Sequence, residues 1–218
     1  MAILETMSEF FAARVDGYDE HMINNVEGCK EGYEKMAELI PDSTETLLDL
    51  GCGTGLELDR IFRRFPSLSV TGIDLCPEML SALQKKHSDK NLNLHCADYF
   101  THPFGENTYD CAVSFESLHH FTREKKLGLY QKIFRALKDD GIYVECDYMV
   151  ETQEEEDFFF AENNRLRTAQ NIPENVFCHY DTPCTVQNQI SLLTEVGFSK
   201  IEKIFRIGGT VLLTAKKG

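Results

Sequence analysis

The sequence predicts an α/β fold: a seven-stranded mixed sheet, mainly parallel, with helices on both faces and an antiparallel β-hairpin at the C-terminal end. Three observations carry this expectation. Residues 46–150 alternate short apolar runs with helical patterns, which implies a parallel sheet covered on both sides. The run Thr46-Leu47-Leu48-Asp49-Leu50 feeds a turn holding Gly51, Gly53 and Gly55, and a helical pattern follows from Leu56. Near the end, 186–196 reads as a helix stopped by Gly197, and two strand-like runs at 198–206 and 210–215 are joined by Ile207-Gly208-Gly209.

Taken in order, residues 1–45 are helical in character. Phe10, Phe11, Tyr18, Met22 and Ile23, then Tyr33, Met36, Leu39 and Ile40, recur at helical spacing, and Pro41 with Asp42-Ser43-Thr44 closes the region. In the core, strands are expected near 46–50, 69–74, 92–97, 109–114 and 141–147, and helices near 55–65, 77–87 and 123–138. Pro66 stops the first of these helices, and Pro77 suits the opening turn of the second. Residues 151–184 break the alternation. Glu154-Glu155-Glu156-Asp157 leads into Phe158-Phe159-Phe160, and Pro173 and Pro183 punctuate the far end. This stretch is a surface excursion or a lid over the site; three consecutive Phe need something apolar to cover. The expectation is one domain, 1–218, with 1–45 as a helical cap, 46–150 as the cofactor-binding core, 151–184 as an insertion and 185–218 as the closing helix and hairpin.

Composition narrows the function classes. The 218 residues are 42% hydrophobic and 27% charged, as in soluble globular chains. No apolar run approaches the roughly 20 residues that span a bilayer. Residues 1–17 carry Glu5, Glu9 and Asp16 and lack a basic start, so a signal peptide is not expected and a cytoplasmic location is. Net charge is −14, from 36 acidic and 22 basic residues, which opposes the phosphate neutralisation that nucleic-acid binding draws on. Arg60, Arg63 and Arg64 read as a solvated helix face. The eight cysteines include no C-x-x-C pair, and several fall in or beside predicted strands. Buried free thiols in a reducing compartment fit better than a disulfide frame or a zinc site.

A glycine-rich turn between strand and helix lets the backbone approach a nucleotide closely. An acidic residue is then expected about 20 residues on, to hold ribose hydroxyls. Ser69-Val70-Thr71-Gly72-Ile73 ends in Asp74. The dinucleotide fingerprint G-x-G-x-x-G needs glycine at 56, where Leu stands, and no Lys-Ser/Thr pair follows the turn, so a phosphate loop is also absent. The run Asp49-Leu50-Gly51-Cys52-Gly53-Thr54-Gly55 instead resembles the first motif of the class I S-adenosylmethionine-dependent methyltransferases, a Rossmann-like family. The closing helix, Gly197-Phe198 and terminal hairpin also resemble that family, in which the last strand enters the sheet antiparallel.

The resemblance implies S-adenosylmethionine as cofactor, with the glycine turn (Asp49, Gly51, Cys52, Gly53, Gly55) against its amino-acid end. Leu75 and Met79 flank the adenine, and Asp98 in Cys96-Ala97-Asp98-Tyr99 accepts from the adenine amino group with Tyr99 beside the ring. Ser114 and Phe115 stand near the sulfonium. Ligands of open parallel sheets bind beyond the carboxyl ends of strands, which independently nominates Asp74, Asp98, Ser114 with Phe115, and Asp147. Arg14 and Tyr18 are candidates for the cofactor's carboxylate and ammonium. In Glu116-Ser117-Leu118-His119-His120 a histidine can serve as general base, or one packs against the sheet while the other closes the pocket. Asp147 orients the acceptor or is a solvated strand end. Glu116, His119 and His120 are metal-ligand types, but no third separated ligand is evident, so no metal is expected. The chemistry implied is methyl transfer to a small-molecule acceptor by direct displacement, helped chiefly by alignment. Two alternatives stand: a cofactor-binding protein without methyl transfer, since residues 11–40 resemble the carboxy-S-adenosylmethionine synthases, and an NAD-dependent oxidoreductase, which Leu56 opposes. The acceptor and the oligomeric state are not legible.

Overall fold

The computed structural model describes residues 3–218; Met1 and Ala2, which belong to the expected N-terminal cap, lie outside the described residues. Three helices come first: α1 (Met7–Ala12), α2 (Val15–Asn24) and α3 (Cys29–Leu39). The core follows as β1 (Thr46–Leu50), α4 (Leu56–Arg64), β2 (Ser69–Asp74), α5 (Pro77–Lys86), β3 (Asn91–Cys96), β4 (Tyr109–Phe115), α6 (Arg123–Ala136) and β5 (Leu137–Tyr148). The chain closes with α7 (Gln153–Ala169), α8 (Val186–Val196), β6 (Phe198–Ile207) and β7 (Thr210–Lys217). The seven strands lie in the order β3-β2-β1-β4-β5-β7-β6. β1 pairs parallel with β2 and β4, while β7 enters antiparallel between β5 and β6. The fold class is as the sequence predicts.

Strand parity sorts the core into two layers. Leu48, Leu50, Ala112, Tyr143 and Leu213 face one side, where Leu129, Tyr130 and Ile133 of α6 and Leu193 of α8 cover them. Leu47, Val70, Cys111, Val113 and Val144 face the other, under Tyr33 and Met36 of α3, Leu58 and Ile61 of α4 and Leu83 of α5. Successive strand residues point to opposite faces, so each core strand serves both layers. The chain order reverses beside β1, and at such a point the loops beyond the strand ends splay apart to leave a crevice.

Several boundaries differ from the sequence reading. α6 ends at Ala136, and β5 begins at Leu137 rather than near 141. The register of β4 against β5 shifts between Tyr109 and Cys111, and Asp140 takes φ 63°, so Lys138-Asp139-Asp140 is a bulge within a long strand and not a helix end. The three Phe of α7 do not cover a common apolar surface. Phe158 is 63% exposed, and Phe159 makes an edge contact with Tyr148. That helix is instead fixed by a capping box at Thr152 and Glu155 and by buried Glu156, which receives Arg123 and the Thr185 amide. All eight cysteines are free. Among the described residues, no helix is long and apolar enough to cross a membrane.

Candidate functional site

The turn after β1 is built by backbone geometry. Gly51 takes φ 71° and Gly53 φ 46°, conformations that side chains rarely adopt. The amides of Gly51 and Cys52 both donate to the Ile73 carbonyl, which ties the turn to the end of β2. A Cβ at Gly51 would lie 2.1 Å from Ser117 Oγ, whereas one at Gly53 would meet nothing closer than 3.9 Å. Gly53 therefore faces open space, where a ligand can approach the backbone. Asp74 stands beside it. Its Oδ2 accepts from the Gly53 amide at 2.9 Å and its Oδ1 from the Cys76 amide at 2.8 Å. Each oxygen keeps a second lone pair for a ligand hydroxyl. Burial raises the Asp74 pKa, and the amides of Cys76 and Gly53 counter only part of that.

These groups line a narrow cleft of about 60 Å³, walled also by Met7, Phe11, Leu75, Met79, Tyr99 and Phe121. The cleft adjoins a chamber of about 850 Å³. Phe11, Tyr18, Glu116 and His120 line both, so they mark the junction. Glu116 holds φ 45°, a strained left-handed conformation for a residue with a side chain, and its amide donates to the Cys146 carbonyl. That strain turns its carboxylate toward the junction, where Oε1 accepts from Thr210 Oγ1 at 3.2 Å.

Behind the junction lies a cluster of imidazoles and carboxylates. His119 Nδ1 is 2.6 Å from Asp147 Oδ1, and both side chains are buried. His119 Nε2 is 3.6 Å and His120 Nδ1 3.3 Å from Asp181 Oδ1. Burial opposes a charge on His119, but the carboxylates of Asp147, Glu116 and Asp181 outweigh it and raise its pKa to about 9. Burial and the neighbouring His119 charge lower that of His120. Burial raises Glu116 to about 7, with Asp147 and Asp181 adding to it against His119. The roof over the chamber comes from two distant segments. The Met7 amide donates to the Phe177 carbonyl and the His179 amide to the Glu5 carbonyl. The Phe10 ring stacks on His179 at 3.4 Å.

The residues singled out in the sequence divide. Gly51, Gly53, Asp74, Leu75, Met79, Tyr99, Phe115 and Tyr18 line the cleft, and Arg14, Tyr18, His119 and His120 line the chamber. Asp147 meets the chamber through His119. Five others line neither. Asp49 shares the parity of Leu47 and packs under α4 against Glu57; burial and that carboxyl raise its pKa well above the usual range. Cys52 points into the sheet against Gly72, and Gly55 packs on Leu83. Asp98 Oδ1 accepts from the Phe100 amide within its own turn. Ser114 faces the other layer and meets the Tyr143 hydroxyl at 2.7 Å. Arg14 is engaged by Glu5 and by the Phe10 carbonyl and ring, rather than being free for a carboxylate.

The sequence reading missed Met7, Ser117, Phe121, His179 and Asp181. Asp181 matters most, because it is the third separated ligand type that Glu116, His119 and His120 lacked. The signal was the turn-forming run His179-Tyr180-Asp181-Thr182-Pro183, which has no period to mark its place.

Comparison with known proteins agrees with this architecture. A methyltransferase domain model matches residues 47–141. The chain is 26% identical over 165 residues to the phosphoethanolamine N-methyltransferase of Plasmodium falciparum, covering 73% of this chain and 62% of that one. It is 24% identical to the carboxy-S-adenosyl-L-methionine synthase of a Nitratiruptor species, over 98% of this chain and 95% of the other. The structure of an O-methyltransferase family protein from Burkholderia thailandensis superposes with a TM-score of 0.72 at 16% identity, over 98% of this chain and 63% of that one, a likeness of fold. The chain spans 18%, 62% and 49% of the length of three of its curated relatives.

Proposed function

The chain belongs to the class I S-adenosylmethionine-dependent methyltransferase family, whose cofactor is S-adenosylmethionine, and from that premise we propose that it transfers the cofactor's methyl group to a small-molecule acceptor. The observation that carries this reading is the junction. A cleft holding the glycine turn and Asp74 meets, at Phe11, Tyr18, Glu116 and His120, a chamber large enough for a metabolite. The fit to the cofactor rests on the open space over Gly53 and on the spare lone pairs of Asp74 beside it. In this reading Asp74 accepts from the ribose hydroxyls, and Leu75, Met79 and Tyr99 wall the adenine. Tyr18 and Phe115 border the sulfonium.

The cofactor supplies an activated methyl group. The acceptor's lone pair forms a bond to the methyl carbon while the carbon–sulfur bond breaks and its electron pair returns to sulfur. The proton leaving the acceptor passes to the neutral imidazole of His120, beside which Asp147 holds the charged His119. Alignment and exclusion of water by the Phe10–His179 roof supply the rest. The chamber wall carries Asp16, Glu27, Glu116 and Asp181 against Arg14, which is already on Glu5, and His119, which is already on Asp147. It therefore suits a neutral or cationic acceptor better than an anion. The net charge of −14 speaks against nucleic acid as acceptor, and eight free thiols support a reducing, cytoplasmic compartment.

Calorimetric titration with S-adenosylmethionine and with its demethylated product tests the reading. Wild type binds both, and Asp74→Ala weakens both by about 10–100-fold, the worth of hydrogen bonds to a charged acceptor. A folded wild type that binds neither compound would sink it. The near full-length likeness to a carboxy-S-adenosylmethionine synthase favours one second reading, carboxylation of the cofactor's methyl group. That reaction needs a carboxylate-bearing donor, which the acid-lined chamber disfavours. Mass spectrometry of the cofactor after incubation with candidate carboxylate donors separates the two readings.

A further inference from the structure

We propose that His119, His120 and Asp181 bind a divalent late transition-metal cation, of the zinc class, in the wall of the acceptor chamber. The inference deepens the methyl-transfer reading: the cluster acts on the acceptor by holding a cation against it, and with both imidazole lone pairs on the cation the acceptor's proton goes to Glu116 at the junction instead. The three donor atoms lie within 4.8 Å of one another. Bonds of about 2.0–2.2 Å to a tetrahedral ion put neighbouring ligand atoms about 3.3–3.6 Å apart. Asp181 Oδ1 lies 3.3 Å from His120 Nδ1 and 3.6 Å from His119 Nε2, so both edges need almost no movement.

The surroundings have the form of a metal site. His119 presents Nε2 because its Nδ1 is taken by Asp147 at 2.6 Å, and Asp147 is 1% exposed. A buried carboxylate on the far nitrogen of a histidine fixes its tautomer and orientation, the outer-shell arrangement of ligating imidazoles. His119 and His120 are likewise buried, while Asp181 closes the group from the chamber side. Three protein ligands facing a chamber leave a fourth position for an acceptor oxygen or nitrogen, as in catalytic rather than structural sites. A cation there would lower the pKa of a bound hydroxyl, whose oxygen keeps a lone pair to direct toward the junction. Two imidazoles and one carboxylate suit zinc, nickel or cobalt rather than magnesium or calcium.

Cobalt(II) is the probe. Chelator-treated wild-type protein is titrated with Co(II) and followed by visible absorption, with Zn(II) as competitor and with cofactor binding measured in parallel by calorimetry. The expected result is one equivalent bound with a nitrogen–oxygen spectrum that Zn(II) displaces. Asp181→Asn and His120→Gln should each weaken binding at least about tenfold, and Asp147→Asn about 10–100-fold through the orientation of His119, while Asp181→Asn and Asp147→Asn, which lie outside the cofactor cleft, still bind S-adenosylmethionine. Absence of saturable Co(II) binding by wild type overturns the site. So does a sulfur-to-cobalt charge-transfer band, which would place the ion on cysteines, or variants that bind as tightly as wild type. Two ligand variants guard against one that fails to fold. Loss of cofactor binding in wild type would remove the methyl-transfer reading and leave the cobalt result to be judged on its own.

Discussion

At the scale of single residues, the glycine turn stands on a buried acid pair. Asp49 and Glu57 face each other beneath it, and each has an oxygen without a hydrogen-bond partner. Burial pushes Glu57 up to about 7, only partly offset by Asp49 and by the Lys86 charge. A carboxyl whose folded pKa is raised stabilises the fold below its unfolded value, near 4.5, and that contribution is lost as pH rises through about 7. Glu57→Gln removes the Glu57 part of this dependence and offers Asp49 a donor. Its melting temperature should therefore gain on wild type between pH 5 and pH 8; an equal difference at the two pH values would refute the raised Glu57 pKa. A second case separates strain from contact. Gly53→Ala should cost about 1–2 kcal/mol through its positive φ, with no steric clash. The same methyl projects into the cleft, so cofactor affinity should fall by more than about tenfold. A small loss of stability with unchanged affinity would place the cofactor elsewhere. Residue types were legible here, but side-chain direction was not. Ser114 sits where the strand-end rule nominates it and Asp49 where the first motif places it, yet strand parity sends Asp49 under α4 and Ser114 to Tyr143.

At the scale of elements, β1, α4, β2 and α5 were readable because glycine, proline and apolar period agree at each boundary. The roof was not, because two aperiodic stretches build it together. Residues 5–10 and 177–179 hold each other by two backbone hydrogen bonds and by the Phe10–His179 stack. The cleft of about 60 Å³ joins the chamber of about 850 Å³ that this roof covers, so opening the roof exposes both. Phe10→Ala should raise amide exchange in residues 5–12 and 176–181 together and leave the sheet amides protected. Exchange that rises in one segment alone would show that they do not move as a unit. At the opposite end of the sheet, Asp110 pins β1 to β4. Its carboxylate accepts from the amides of Glu45 and Thr46, from Thr46 Oγ1 and from Lys138. Burial works against its charge, but these donors lower its pKa to about 2. A depressed folded pKa stabilises the fold above the ordinary 3.8, and the contribution is lost as pH falls toward about 2. Asp110→Asn should cost about 1 kcal/mol at pH 7, and its deficit should shrink as the pH falls from 4 toward 2. A deficit independent of pH would assign Asp110 a packing role only.

At the scale of the whole molecule, the acidic balance and the architecture work on the same ligand. The site opens at the carboxyl ends of β1, β2, β4 and β5, where Asp74, Glu116 and Asp147 cluster within a chain of net charge −14. Such a field attracts a cation and repels the rest of the surface from itself. S-adenosylmethionine carries a sulfonium charge that its demethylated product lacks, so under the proposed methyl transfer the field favours substrate over product and assists release. Salt shortens the range of that field to about 8–10 Å at ionic strengths near 0.1–0.15 M. Raising salt from 50 to 500 mM should weaken S-adenosylmethionine roughly threefold more than the product, which depends mainly on hydrogen bonds and apolar contact. The same change should raise the melting temperature of the free protein by screening its self-repulsion. Calorimetry with both compounds across the salt series, beside thermal melts, reads the two effects separately. If substrate and product lose affinity in step while stability rises, the charge acts on the fold alone, and discrimination between them comes from contacts within the cleft.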